Sequence, residues 1–269
     1  MFLADENGYS AGRTVSGEAV LQVSLFSLPL IALAGTAAGF INVVAGGGSL
    51  ITLPTLIFLG LPPAMANGTN RLAQLSQNSV AVYRFRRKGF FPLRAGLILG
   101  AAASAGAVIG SRVAVDIAPE LFNRILAFVM VVVLILTLTG GERTSQAPQQ
   151  VWRRRLLLPA FFVIGIYGGF IQAGVGFLII AVFSRISATS LVLTNATKVM
   201  VVLIYTFPAL AVFLLHGQID WAAGVVLAAG NAAGAWLGAH FSVAKGDRWI
   251  KAVLTVSVSA MAVRLFFFG

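Results

Sequence analysis

Several residue types that support common functions are absent or scarce in this 269-residue chain. It contains no cysteine, which excludes disulfide bonds and thiolate metal sites. Charged residues make up only 10% of the chain, eight of them are Asp or Glu, and none of these carboxylates lies within a long apolar run. A relay of protons through buried carboxylates is therefore disfavoured. Its two histidines, His216 and His240, lack a metal-ligand spacing, so we expect no metal ion and no cofactor.

Apolar residues, in contrast, make up 58% of the chain, and the mean hydropathy is +0.93. Such a chain has more apolar surface than an aqueous fold can bury. The apolar runs span residues 22–45, 49–60, 65–83, 92–113, 121–139, 156–173, 175–184, 190–215, 221–241 and 250–268. Most of them suit a membrane-crossing helix of about 20 residues. The short runs 49–60 and 175–184 indicate broken or re-entrant helices, so we predict an all-α polytopic membrane protein with eight to ten transmembrane segments.

The chain also contains an internal repeat. Residues 39–41 (Gly-Phe-Ile) recur as residues 169–171, an offset of 130 (169 minus 39), and Asn67 recurs as Asn195, an offset of 128 (195 minus 67). Four glycines of the first half recur at the offset of 128. We predict two transmembrane repeats, with these boundaries: a polar tail at 1–21, a first repeat at 22–139, a basic linker at 140–155 and a second repeat at 156–269.

Loop charges indicate how each repeat is oriented. The loop at residues 84–94 holds five Lys or Arg residues, whereas its counterpart at 212–222 holds only His216 and Asp220. The bias is reversed for the loops at 112–124 and 240–252. Because positive loops stay cytoplasmic, the repeats are predicted to have inverted topology, with the linker cytoplasmic and both termini periplasmic. The alternative is two parallel halves.

The first candidate site is a glycine-rich break at residues 42–49 (Asn-Val-Val-Ala-Gly-Gly-Gly-Ser), paired with residues 172–177 (Gln-Ala-Gly-Val-Gly-Phe). Consecutive glycines disfavour a helix, and the helix that restarts after them presents free amides and a positive dipole end to an anion. The second loop lacks a third glycine and is two residues shorter. The candidates are Gly46, Gly47, Gly48, Ser49, Gly174 and Gly176. Alternatively, these glycines only let helices pack closely, the role that we expect for Gly106, Gly110, Gly234 and Gly238.

The second candidate site is a pair of cations that follow the repeated Asn. Arg71 and Lys198 each lie near the first turn of a long apolar helix. A charge inside a membrane segment is costly unless it faces a polar cavity or extends to the headgroups, which is the alternative interpretation. Two cations, amides and hydroxyls together can bind an anion. The polar candidates around them are Asn67, Thr69, Gln77, Asn78, Asn195 and Thr197, and Gln74 extends the same stripe.

These motifs resemble the TauE/SafE sulfite exporter family, also called the toluene sulfonate uptake permeases. The resemblance rests on Gly46–Ser49 with Pro54, on residues 61–63 (Leu-Pro-Pro) and 67–71 (Asn-Gly-Thr-Asn-Arg), and in the second half on residues 168–170, 174–177, 194–198 and 217–221. It covers roughly residues 28 to 268. The resemblance implies transport of sulfite or of organosulfonates such as sulfoacetate across a bacterial inner membrane.

No catalytic set is present. Residues 47–50 (Gly-Gly-Ser-Leu) lack the glycine that would follow the serine of a Gly-x-Ser-Gly intramembrane nucleophile, so we do not expect an enzyme. The predicted partners are a small anionic substrate and the lipid bilayer, without nucleic acid, and a homo-oligomer is left open. The alternatives to a carrier are an anion channel, an ion-coupled anion importer and a membrane protein that does not transport.

Overall fold

The computed structural model describes residues 27–139, 156–186 and 189–268, and all the regular structure in these ranges is helical. The tail at 1–21 and the linker at 140–155 lie outside the described residues. The helices are α1 (Leu28–Val44), α2 (Ser49–Phe58), α3 (Pro63–Arg87), α4 (Leu93–Asp116), α5 (Pro119–Thr139), α6 (Leu157–Phe170), α7 (Val175–Ile186), α8 (Leu191–Leu215) and α9 (Trp221–Phe268).

Helix lengths recur in the two halves. Two short helices, of 17 and 10 residues in the first half and 14 and 12 in the second, precede a helix of 25 residues in each. The halves then differ, because the runs at 221–241 and 250–268 form the single helix α9 instead of two. In the first half, Pro119 begins a new helix after the extended residue Ile117. Its counterpart at the offset of 128 is Asp247, which does not interrupt a helix as proline does.

The equivalent helices α3 and α8 pack side by side in opposite directions. The start of α3 lies against the end of α8, where Gly68 contacts the Phe213 ring. The end of α3 shares a core with the start of α8, through Phe85 and Val192. The helices α3 and α8 are therefore antiparallel along their full length.

The remaining long helices follow the same two directions. Helices α1 and α9 run parallel, because Gly35 lies on Leu227 and Phe40 lies on Gly238. Thr69 near the start of α3 bonds to Asp220 at the start of α9, and Arg84 near its end contacts His240, so α3 is parallel to α9 as well. In the opposite group, α4 packs parallel to α6 and to α8.

Close approach of these helices depends on glycine. A Cβ atom at Gly106 would lie 2.1 Å from the Phe162 carbonyl oxygen, and one at Gly234 would lie 2.0 Å from that of Thr36. Any side chain would force these backbones apart. The packing role predicted for these glycines is confirmed, and it joins α4 to α6 and α9 to α1 across the two halves.

Helix α2 folds back along α1. Ser49 at its start bonds to Gln74, whereas Thr52 one turn later bonds to Asn70, so α2 runs antiparallel to α3. Leu56 near the end of α2 shares a core with Ile31 near the start of α1. The helices α1 and α2 therefore form a hairpin whose tip lies about midway along α3.

The outer surface of the helices is apolar. Among the described residues, three helical stretches are long and apolar enough to cross a membrane: Leu93–Asp116, Leu191–Leu215 and Trp221–Lys245. Large side chains such as Leu33, Phe58 and Leu215 are 70–85% exposed. An apolar exterior of this kind suits lipid as the solvent.

Candidate functional site

The two breaks have the same length and share a hydrogen-bond pattern, although Gly174 has a φ of 70° and Gly48, in the same place of the first break, has a φ of -57°. Four residues separate α1 from α2 (45–48), and four separate α6 from α7 (171–174). In each break, two successive amides donate to one carbonyl: those of Ala45 and Gly46 to Ile41, and those of Ile171 and Gln172 to Tyr167. The structural offset at the breaks is therefore 126 (171 minus 45).

This offset corrects two predictions from the sequence. The pairing of residues 39–41 with 169–171 is wrong by one helical turn. Gly39 lies against Asn231, and the counterpart of Asn231 in the first half is Ala103. The glycine that lies against Ala103 is Gly165, so Gly165 is the equivalent of Gly39. The second break is also not shorter than the first. Glycines recur every four residues in both α1 and α6, so the sequence match can slide by one turn without losing its glycines.

Gln172 occupies the position that Gly46 has in the first break. Both have positive φ angles, 59° for Gln172 and 97° for Gly46, and Gln172 is the only non-glycine residue with positive φ among the described residues. Side chains rarely adopt this conformation, and where they do the strain often marks a functional position. The sequence pattern pairs the two loops in a different register and does not single out Gln172.

The two breaks touch each other. A Cβ atom at Gly46 would lie 2.5 Å from the carbonyl carbon of Gly176, and one at Gly47 would meet the ring of Phe177. The amides of Gly47, Gly48 and Ser49 make no hydrogen bond to a carbonyl of the described backbone. Free amides at the start of α2 are the donors that the glycine run predicted.

Lys198 holds the end of α1. Its Nζ donates to the carbonyls of Asn42 and Val43, both at 2.9 Å, and to Oδ1 of Asn195 at 2.8 Å. Asn195 in turn donates to the Val44 carbonyl at 3.0 Å. Because an ammonium has three N–H groups, Lys198 has no donor left for a ligand in this structure.

Arg71 holds the end of α6 in the same way. One terminal nitrogen donates to the Gly168 carbonyl at 3.1 Å and the other to the Gly169 carbonyl, while Asn67 donates to the Phe170 carbonyl at 2.7 Å. The guanidinium also lies 4.7 Å from the centre of the Phe213 ring. Arg71 differs from Lys198 in one respect, since its Nε has no hydrogen-bond partner.

Each half thus caps the broken helix of the other half with an Asn and a cation. Cations are favourable at a helix C-terminus, where carbonyls are left unpaired. Arg71 and Lys198 are 0% and 2% exposed, and neither forms an ion pair with any carboxylate of the described ranges. Both cations therefore lie in the interior and are bound by carbonyl groups, without a carboxylate partner in the described ranges.

A polar network surrounds the first break. The Gln74 Oε1 atom accepts from Nδ2 of Asn42 at 2.9 Å, from Nε2 of Gln77 at 3.2 Å and from Nδ2 of Asn78 at 3.3 Å. Its Nε2 donates to the Ser49 hydroxyl at 2.7 Å. The structure therefore brings Ser49, Gln77 and Asn78 together around Gln74.

The hydroxyl groups of two predicted site residues form hydrogen bonds away from the breaks. Thr69 accepts a hydrogen bond from the Asp220 amide at 2.9 Å, at the start of α9. Thr197 donates to the Leu193 carbonyl of its own helix at 2.9 Å. Neither hydroxyl joins the network around Gln74 or the caps at the breaks.

Tyr205 is a polar residue of this region that the sequence analysis missed. It is fully buried, and its hydroxyl, which has no hydrogen-bond partner, lies against Gly168 at the end of α6. The internal repeat contains a signal for it, because at the offset of 128 Tyr205 is the counterpart of Gln77 (205 minus 77).

Comparison with known proteins agrees with this architecture. Residues 31–265 match the family described as Sulfite exporter TauE/SafE. A Sinorhizobium protein named probable membrane transporter protein ORF9 is 28% identical over 239 residues, 88% of this chain and 92% of the relative. A probable membrane transporter protein of Haemophilus influenzae is 28% identical over 92% of this chain and 97% of its own length, and YfcA of Escherichia coli, also so named, is 25% identical over 92% and 93%. No solved structure matches the chain. The chain is a membrane protein and belongs to the TauE/SafE sulfite exporter family of membrane transporters.

Proposed function

We propose that the protein carries small anions, sulfite or an organosulfonate such as sulfoacetate, through a site where the two broken helices meet. The observation that carries this proposal is the pair of buried cations, Arg71 and Lys198, without a carboxylate partner in the described ranges. A buried charge of this kind is costly unless it is compensated. An anionic substrate supplies the compensation each time it binds.

The donors around the cations suit an anion. The free amides of Gly47, Gly48 and Ser49 lie at the start of α2, and Gly174 and Gly176 lie at the start of α7, where the helix dipole is positive. Asn67 and Asn195 set the orientation of the cations through their side-chain oxygens. Gln77 and Asn78 position Gln74 and, through it, Ser49.

The proposal includes an inverted arrangement of the repeats at 22–139 and 156–269. The opposite directions of α3 and α8 support it, and so does the charge difference between the loops 84–94 and 212–222. In this arrangement each broken pair is a re-entrant hairpin. The three further crossings of the first half, α3, α4 and α5, then reverse the orientation of the second repeat.

Reporter fusions test this topology in the bacterial inner membrane. A reporter fused after Lys88 is expected in the cytoplasm, and one fused after His216 in the periplasm. Fusions within the linker at 140–155 should be cytoplasmic. Finding the reporters after Lys88 and His216 on the same side would overturn the inverted arrangement.

Flux through proteoliposomes tests the transport function. One charge crossing the membrane is worth about 2.3 kcal/mol per 100 mV, so an interior-negative cell can expel a monoanion without a coupling ion. Efflux of labelled sulfite or sulfoacetate should follow an imposed potential and respond little to a pH or sodium gradient. Arg71→Lys, which loses the fork geometry of the guanidinium, should reduce this flux at least roughly tenfold.

Three results would contradict the proposal. Absence of saturable flux for every anion would remove the carrier function, and single-channel currents would replace it with a channel. Concentrative uptake only with a sodium or proton gradient, at zero potential, would replace export with ion-coupled import. The matched control for Arg71→Lys is Arg86→Lys, since Arg86 lies exposed near the end of α3.

A further inference from the structure

Four of the buried polar side-chain atoms without a hydrogen-bond partner in the described ranges lie at the second break. They are the Tyr205 hydroxyl, both amide atoms of the Gln172 side chain and Nε of Arg71, while the others, such as Oε1 of Gln77 and the amide of Asn231, are spread over the rest of the bundle. Tyr205, Gln172 and Arg71 are at most 1% exposed. A native interior leaves few polar groups unpaired, and in a membrane each one is especially costly. Several of them in one place indicate a missing partner.

These atoms come together from three parts of the chain. The Tyr205 hydroxyl of α8 lies against Gly168, since a Cβ atom there would be 2.9 Å from it. The Gly168 carbonyl accepts from Arg71 of α3 at 3.1 Å. Gln172 lies four residues beyond Gly168, in the break that follows α6. A hydroxyl, a primary amide and a guanidinium N–H therefore converge at the end of α6.

The conformation of Gln172 supports a specific role for its side chain. Its φ angle of 59° is one that glycine adopts without strain, and Gly46 stands at the equivalent position of the first break. A glutamine here keeps a strained backbone and an unpaired buried amide. Neither feature benefits the fold, so both favour a role in binding.

Most other polar side-chain atoms around the breaks are paired, apart from Oε1 of Gln77 and Nδ2 of Asn70. The three N–H groups of Lys198 are used by Asn42, Val43 and Asn195. In the first half, Gln74 accepts from three amides and donates to Ser49. Of the two buried cations, Arg71 alone keeps an unpaired N–H in this structure.

We propose that Tyr205, Gln172 and Nε of Arg71 form the subsite that holds the oxyanion head of the substrate, a sulfite or sulfonate group. Three donors, one of them on a cation, match the three oxygens of such a group. Lys198 then acts as a positioning residue, which fixes the end of α1 and adds positive charge. This inference rests on the proposed function and names the residues that would contact the anion.

Binding to the purified full-length protein tests the subsite, with sulfite and sulfoacetate as probes and titration calorimetry as the readout. Tyr205→Phe removes only the hydroxyl, and Gln172→Gly restores the residue found at the first break. Each variant should weaken binding of both probes roughly 10- to 100-fold, as expected for a lost hydrogen bond to a charged group. Thr206→Val is the control, because Thr206 is equally buried on α8 and bonds only to its own helix.

Thermal unfolding of the same variants separates binding from structure. If the Tyr205 hydroxyl is an unpaired ligand group, Tyr205→Phe should leave the unfolding temperature without anion unchanged within about 2 °C. If the hydroxyl instead stabilises the fold through Gln172, that temperature falls while the affinity stays the same, and the subsite is overturned.

The outcomes also separate the subsite from the proposed function. Wild-type binding of a probe, together with variants that bind equally well, removes the subsite and leaves anion transport in place. A wild-type protein that neither binds nor transports either probe removes both. Weaker binding by Tyr205→Phe and Gln172→Gly, with Thr206→Val unchanged, supports the subsite.

Discussion

The two breaks have the same length and similar caps but differ in their chemistry. Both are four residues long, both contain a residue with positive φ, and each is capped by an Asn and a cation of the opposite half. The first is surrounded by the hydrogen-bonded network of Gln74. Around the second, the packing is mostly apolar, and the buried polar groups of Gln172 and Tyr205 are unpaired. A repeated architecture can therefore hold an asymmetric site.

The capping cations also differ in how many of their N–H groups are hydrogen-bonded. Lys198 uses all of its N–H groups on the end of α1, whereas Arg71 caps α6 and keeps Nε free. We infer that Lys198 stabilises the fold more than it contacts the substrate and that Arg71 does both. The residues that are not fully used by the fold are the ones available to a ligand.

The largest expected difference between the breaks concerns their positive-φ residues. Gly46→Ala adds a Cβ atom 2.5 Å from the Gly176 backbone, at a φ of 97°. Strain and overlap together should cost roughly 2–6 kcal/mol of the free energy of unfolding. Gln172→Ala should cost about 1 kcal/mol or less, because a side chain already stands there. Unfolding titrations in mixed micelles measure both, and equal losses would contradict the predicted difference between the breaks.

The next largest effect should come from the cap on α1. Lys198→Met keeps the length of the side chain but leaves the carbonyls of Asn42 and Val43 and Oδ1 of Asn195 without their donor. The free energy of unfolding should fall by roughly 2–4 kcal/mol. Anion affinity should fall less than in Arg71→Lys. A Lys198→Met protein of normal stability that binds no anion would show that Lys198 contacts the substrate directly.

The positions of these caps show how far the sequence could predict the site. The sequence predicts three features, because each departs from an ordinary apolar helix: the glycine run, the short helix after it and the two buried cations. It does not predict the hydrogen-bond partners of the cations. Arg71 bonds to carbonyls almost a hundred residues away, and backbone carbonyls leave no mark in a sequence.

The sequence also misplaced the register of the first helix pair. Glycines that recur every four residues match themselves after a shift of one turn, and only contacts with α9 and α4 distinguish the alternatives. Tyr205 was missed for a related reason. A tyrosine in an apolar helix is typical of the hydrophobic core. Only the positions of the surrounding atoms show that its hydroxyl is unpaired.

A smaller effect is expected for the hub of the first-half network. Gln74→Leu keeps the volume but removes the acceptor of Asn42 and Gln77 and the donor to Ser49. Loss of these buried hydrogen bonds should lower the free energy of unfolding by roughly 1–3 kcal/mol. If the network only supports the first break, anion affinity changes less than in Tyr205→Phe. A greater loss of affinity in Gln74→Leu would move the substrate to the first half.

The smallest effect is expected at Thr197, which lies between two capping residues. Its hydroxyl donates to the Leu193 carbonyl within α8, a carbonyl that the helix itself can also satisfy. Thr197→Val keeps the branched shape, so both the stability and the affinity for sulfite should change by less than about 0.5 kcal/mol. Asn195→Ala is the matched comparison two residues away, because it removes the bond to Val44 and one acceptor of Lys198. Unfolding titration and calorimetry of the two variants side by side check the contrast. Should Thr197→Val instead weaken sulfite binding as strongly as Tyr205→Phe, the anion would have to lie against α8 on the side of the first break, and the asymmetry between the breaks would be reversed.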